Sequence, residues 1–191
     1  LKKVIKIGGT LNNMSRKMRV VDYDPTWSKL FHIEKKHLEE IMTDNVLAVH
    51  HIGSTAIPGI KAKPVIDILI EVHSLQKVDE MEIKLSNLGY VGKGENGIPD
   101  RRFFQKGGDN RTHHVHCYKK GNPEVKRHIL FRDYLRTHLN RALEYSRLKE
   151  ELSIKFFQDP HGYVEGKNEF VQMIDEKVNQ LINSKRKREK D

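Results

Sequence analysis

The sequence predicts an α+β fold, a mixed sheet with flanking helices, and three observations carry that expectation. Short runs rich in β-branched and aromatic residues fall in the first two-thirds, at residues 46–52, 65–72, 101–105 and 112–118. Apolar residues at helical spacing dominate the last third, and no internal repeat is apparent. Strands first and helices last place helices on a sheet. At 191 residues the chain is long enough for one well-buried core.

The elements follow in order. Residues 1–17 mix Gly, Asn and Lys and read as a loose extension; residues 18–183 read as a single domain and residues 184–191 as a basic tail. Asp24-Pro25 punctuates the chain, and Thr26 is placed to cap a helix, with Lys29 at the capping-box position. Trp27, Leu30, Phe31, Ile33, Leu38 and Ile41 supply that helix with an apolar face. Residues 46–52 and 65–72 are strands, the second denser in β-branched side chains. Residues 74–88 read as one helix with Leu75, Val78, Ile83 and Leu85 as its buried stripe, closed by Gly89. Residues 92–100 read as a loop, followed by an antiparallel pair joined through Gly107-Gly108-Asp109-Asn110. Pro123 opens a helix through Leu135; Leu143, Leu148, Leu152 and Phe156 mark the next; Phe170, Ile174, Val178 and Leu181 mark the last.

Composition bounds the function. A formal net charge of +9 favours anionic partners, namely phosphates, nucleotides or nucleic acid. The lone Cys117 forbids an intramolecular disulfide and suits a reducing compartment; it sits in an apolar alternation as a small buried hydrophobe. No apolar run is long enough to cross a bilayer and no secretory signal is evident, so a cytoplasmic protein with no membrane partner is expected. A basic tail alone is more often a solvated helix end than a nucleic-acid patch. Homodimerisation stays open, because an interface helix and a core helix read alike.

The chemistry concentrates in His50-His51-Ile52-Gly53-Ser54-Thr55-Ala56-Ile57-Pro58-Gly59 and Lys63-Pro64-Val65-Ile66-Asp67-Ile68-Leu69-Ile70-Glu71. This reads as a strand, a Gly-Ser turn opening a short helix, and a second strand bearing an acid. Gly53 lets backbone approach a ligand, and N–H groups at Ser54 can hold phosphate, with His51 nearby. Asp67, Leu69 and Glu71 share one strand face. An acid among core isoleucines needs a partner, either Lys63 or a later Arg, or else a metal or substrate. Two-metal chemistry wants several converging carboxylates, but Leu69 stands where the second is expected and Glu71 lies roughly 6.6 Å beyond it. His114 and His116 share a face of the later strand; with Asp67 they can ligate Mg²⁺, Mn²⁺ or Zn²⁺, bind an anion, or act as a general base. Lys63 can offset phosphate charge, as can Arg132, which shares a helix face with Arg136. The absence of a G-x-S-x-G elbow around Ser54 argues against a serine hydrolase.

These segments, together with Val21-Asp22-Tyr23-Asp24-Pro25-Thr26-Trp27, His114-Val115-His116 and Phe131-Arg132-Asp133-Tyr134-Leu135-Arg136, resemble the GrpB family (UPF0157), which is placed in the nucleotidyltransferase superfamily. The resemblance runs from about Met18 to the final helix. It implies a nucleotidyltransferase-like sheet with C-terminal helices, Gly53-Ser54 at the triphosphate end and Asp67 as the surviving metal-binding acid. It also implies a nucleotide or coenzyme A context, since members are sometimes fused to a dephospho-coenzyme A kinase. Catalysis would then rest on Asp67, His114 and His116, with Asp67, His116 and Glu71 around a divalent metal. The chain departs from the superfamily's acid-x-acid pattern at Leu69. Three functions follow: transfer of a nucleoside monophosphate, binding of a nucleotide or phosphorylated metabolite without catalysis, or an accessory role on RNA. The last lacks the alternating basic and aromatic residues that stack single-stranded bases.

Overall fold

A computed structural model describes residues 17–188, so the extension expected at residues 1–17 and the last three tail residues fall outside it, Lys17 excepted. Helix α1 (Thr26–Met42) starts one residue after Pro25. Its cap comes from Asp24, whose Oδ1 accepts from the Thr26 N–H at 2.8 Å, and not from the Thr26 side chain. Strand β1 (Val46–Ile52) leads through a single 3₁₀ turn at Ser54–Ala56 to β2 (Ile66–Val72). The single helix expected over residues 74–88 is two short ones, α2 (Leu75–Glu80) and α3 (Glu82–Asn87), joined at Met81. That break turns Ile83 outward at 76% exposure while Val78 and Leu85 stay buried. Strand β3 (Tyr90–Gly92), which the sequence did not suggest, ends on the first residue of the expected loop, with Tyr90 its buried residue. Strands β4 (Arg101–Lys106) and β5 (His113–Lys119) follow. The helical third comprises α4 (Pro123–Thr137), α5 (Leu139–Lys155), α6 (Pro160–Glu165) and α7 (Asn168–Arg188). Residues 184–188 of the basic tail thus continue α7.

The sheet is mixed, in the order β1-β2-β5-β4-β3. Strands β2 and β5 run parallel, and the other pairs are antiparallel. Side chains alternate across the pleat, which gives the sheet two chemically different faces. Ile66, Ile68, Ile70, Val72, Val115 and Cys117 point toward α1, α2 and α3, where Trp27, Phe31, Leu38, Met42, Val78 and Leu85 complete the main core. The opposite face carries Asp67, Leu69, His114, His116 and Tyr118 under the C-terminal helices.

Those helices attach through two small clusters. Ile52, Leu69 and Tyr118 of the sheet meet Val125 of α4. Ile57 and Ile60, in the loop between β1 and β2, insert among Leu135, Ala142, Tyr145, Phe170, Ile174 and Val178. Leu143 and Leu181, expected on apolar stripes, lie outside this layer at 41% and 47% exposure. Among the described residues no helix is long and apolar enough to cross a membrane.

Candidate functional site

The site grows from the place where β1 ends. Gly53 has φ 68° and ψ −171°, a conformation that is essentially glycine's alone. A Cβ there would stand 2.4 Å from Asp67 Oδ2. Glycine is therefore required twice, for the turn and for the approach of the Asp67 carboxylate. The helix expected to open at Ser54 is a single turn whose Ala56 and Ile57 N–H groups bond back to the Gly53 and Ser54 carbonyls at 3.2 and 3.1 Å. Ser54 acts on the phenol of Tyr145 of α5, which burial nevertheless pushes up to about 12.

Parallel pairing of β2 with β5 sets Asp67 beside His114 and Leu69 beside His116. His114 Nδ1 lies 2.9 Å from Asp67 Oδ1, with the two side chains 18% and 28% exposed. An ionised carboxylate can only accept, so the imidazole proton sits on Nδ1. Nε2 is buried and finds no partner among the described residues. Burial pushes the Asp67 carboxyl up, but the His114 hydrogen bond and the fields of His114, His116 and Lys167 outweigh it and leave it below its ordinary value. Asp67 is thus an anion held by the His114 hydrogen bond within the field of Lys167.

The surrounding groups are mostly basic. The buried Arg101 donates to the carbonyls of Glu95 and Asn96 at 3.0 and 2.9 Å, lies over the Phe103 ring, and reaches His116 Nδ1 at 3.4 Å. Burial drives His116 down to about 3 and His128, 5.9 Å from it ring to ring, down to about 4, so both are neutral at pH 7. Two lysines complete the set. Lys167, between α6 and α7, lies over the Tyr163 ring at 4.5 Å; burial lowers its pKa against the opposing pull of Asp67. Lys149 of α5 is 1% exposed, donates to the Lys61 carbonyl, lies over the Tyr145 ring at 4.7 Å, and is lowered by burial to about 7. Among the described residues neither lysine has a carboxylate within ion-pair distance.

The structure thus brings Gly53, Ser54, Asp67, His114 and His116 together and sends other candidates elsewhere. His51 faces the main core, stacked on Phe31 at 4.7 Å with Nε2 3.0 Å from Thr55 Oγ1, and burial lowers it to about 4. It supports the turn from behind and presents nothing to a phosphate on the Asp67 face. Arg132 donates to the His51 carbonyl at 2.9 Å and pairs with Asp133 at 2.7 Å; Arg136 donates to the Ala56 carbonyl at 2.8 Å. Both arginines hold the backbone of the turn and are not turned toward a ligand. Lys63 is half-buried in the link between Ala62 and β2. Glu71 lies about 13 Å from Asp67 along the strand, where it accepts from the Gly121 N–H at 3.4 Å.

The divalent cation implied by the resemblance does not fit these donors. Leu69 fills the second acid's place at 0% exposure, and Glu71 is out of range. With Arg101 donating to its Nδ1, His116 carries its own proton on Nε2 and offers no lone pair. Among the described residues no three His, Cys, Asp or Glu side chains group to hold a metal ion.

From the sequence, Lys149 reads as packing and surface charge, and Lys167 is not singled out. Tyr145 and Lys149 look like an ordinary surface pair, although Ala142, Tyr145, Ser146, Lys149, Leu152 and Ser153 form one buried stripe of α5. A lysine on that stripe was the available signal. Lys167, in a short Gly-Lys link between helices, carried none.

Residues 17–177 match the family described as GrpB protein. UPF0157 protein YqkA of Bacillus subtilis is 47% identical over 161 residues, covering 84% of this chain but 47% of YqkA, so the chain spans about half the length of that relative. Glutamate-rich protein GrpB of Alkalihalophilus pseudofirmus is 36% identical over 167 residues, covering 85% of this chain and 94% of its own. The crystal structure of conserved protein GrpB from Enterococcus faecalis superposes with a TM-score of 0.82 at 37% identity, covering 86% of this chain and 99% of that one. On the family match and the coverage of these relatives, the chain belongs to the GrpB family.

Proposed function

We propose that this protein binds a nucleotide or another phosphorylated small molecule between the second sheet face and the C-terminal helices, as a binding or regulatory protein. The observation that carries this reading is the setting of one carboxylate: His114 and the field of Lys167 hold Asp67 below its ordinary value, and Arg101, beside His116 on the same face, bonds only to neutral groups at hydrogen-bond distance, with Glu124 acting on it from further away. Buried cations without counter-ions are costly, and an anionic ligand relieves that cost. The family resemblance, which implies a triphosphate end at the Gly53-Ser54 turn ahead of the Asp67 strand, favours a nucleotide over a bare anion. Transfer of a nucleoside monophosphate is the weaker reading, because Leu69 removes the acid that would share a metal with Asp67.

Two-dimensional NMR of the full chain titrated with adenosine, AMP, ADP and ATP tests this. Amide shifts at Gly53, Ser54 and His114 that saturate and strengthen with phosphate number are expected. Equal, non-saturating responses to adenosine and ATP would remove the reading.

A further inference from the structure

We infer that the open carboxylate oxygen of Asp67 receives a hydroxyl group of the phosphorylated ligand, which is therefore a phosphorylated sugar or polyol, a ribonucleotide among them. This deepens the proposed binding function and rests on it.

The two oxygens of Asp67 stand in different settings. Oδ1 accepts from His114 Nδ1 at 2.9 Å. Oδ2 receives no hydrogen bond or ion pair from the described residues, yet it is not one of the buried polar atoms left without a partner. With the side chain 28% exposed, Oδ2 is the oxygen that meets the cleft. Gly53 borders it so closely that a Cβ there would stand 2.4 Å away. The open oxygen thus lies beside the Gly53-Ser54 turn, within reach of a ligand held there.

The chemistry of that oxygen selects its partner. An ionised carboxylate only accepts hydrogen bonds. A phosphate oxygen is also an anionic acceptor, so a phosphate resting on Oδ2 would meet like charge. A phosphorylated ligand that touches Asp67 must turn a donor toward it. The neutral donor that sugar and polyol phosphates carry is the hydroxyl, and its bond to a carboxylate is short and charge-assisted. His114 prepares the contact, because its Nδ1–H fixes the rotation of the carboxylate and so the direction Oδ2 faces. His114 Nε2, the neighbouring acceptor, is closed to solvent, which leaves the contact to Oδ2.

Isothermal titration of the full chain with ATP, 2′-deoxy-ATP, 3′-deoxy-ATP, 2′,3′-dideoxy-ATP and inorganic triphosphate, each in EDTA and in excess Mg²⁺, tests the inference. In EDTA, ATP is expected to bind about tenfold or more tighter than the dideoxy compound, with one of the two monodeoxy compounds carrying most of the loss. Asp67→Asn and Asp67→Ala are expected to weaken ATP and to bring it within about threefold of dideoxy-ATP. Thermal melts verify that the variants fold, and the wild-type comparison stands by itself if one does not. Equal binding of ATP and dideoxy-ATP by the wild type would overturn the hydroxyl contact while leaving the phosphate reading intact. A preference for ATP that persists in both variants would overturn the assignment to Asp67. ATP binding that requires Mg²⁺ and is lost in EDTA would put a bridging cation at Oδ2 in place of the hydroxyl. No binding of any probe under any condition would overturn the phosphate reading itself, and this inference with it.

Discussion

Gly53 and Asp67 constrain each other across the gap between two strands. Gly53→Ala introduces a Cβ 2.4 Å from Asp67 Oδ2 and forces a methyl-bearing residue into φ 68°, ψ −171°. The strain and the overlap together are expected to cost roughly 2–5 kcal/mol, read as a lower urea midpoint. Adding Asp67→Ala removes the overlap but not the backbone strain, so the double variant should recover only part of the loss. A full recovery would mean that the glycine serves the carboxylate alone. Lys149 poses the opposite problem, a charge kept where charge is costly. Its pKa is lowered to about 7, so between pH 7 and 10.5 the unfolded chain holds more protons, and stability rises with pH in that window. From pH 7 to 9 this contributes roughly 2 kcal/mol. Lys149→Met should abolish that rise in stability. A slope that survives the substitution would place the titration elsewhere.

At the scale of elements, α4 and α5 act on the β1–β2 loop through its backbone. Arg132 and Arg136 donate to the His51 and Ala56 carbonyls, while Ser146 Oγ accepts from the Lys61 N–H, and Lys149 donates to the Lys61 carbonyl. Lys61 itself pairs with Glu150 through its ammonium at 2.5 Å. The loop's shape is therefore dictated by helices more than 70 residues further along the chain. Arg132→Met should cost about 1–3 kcal/mol, since it leaves a carbonyl unpaired beside a buried histidine. Arg136→Met should cost less, because the Arg136 side chain is 39% exposed against 13% for Arg132. Hydrogen exchange at Gly53 through Ala56 is the sharper readout, expected to accelerate in Arg132→Met while the β2 and β5 amides stay protected. Unchanged exchange would show that the Ile57 and Ile60 anchors suffice.

For the whole molecule, acid sensitivity follows from three desolvated imidazoles, His51 buried and His116 and His128 half-buried. His51, His128 and His116 are held neutral by burial at about 4, 4 and 3. Each has its folded pKa below the ordinary value near 6.5, so the unfolded chain binds more protons once the pH falls below about 6.5. Stability should drop by several kcal/mol between pH 6.5 and 4, a large part of a typical total of about 5–15 kcal/mol. A melting temperature unchanged from pH 7 to 4.5 would contradict the burial of these rings. Strand and helix order, the Asp67 face and the His114–His116 pair were legible in the sequence, because β-sheet alternation and helical periodicity are local rules. Asp67 and His114 are 47 residues apart, and their contact depends on parallel pairing of β2 with β5, which local pattern does not specify. The same limit hid the reorientation of Arg132, the outward turn of Ile83 at the Met81 break, and the action of Lys167 on Asp67. By itself the sequence determined family, fold class and one reactive strand face, since those rest on residue type and spacing. Only the tertiary structure decided which groups surround Asp67, His114 by a hydrogen bond and Lys167 by its field, because charge balance at a site is set by whichever distant side chains packing brings there.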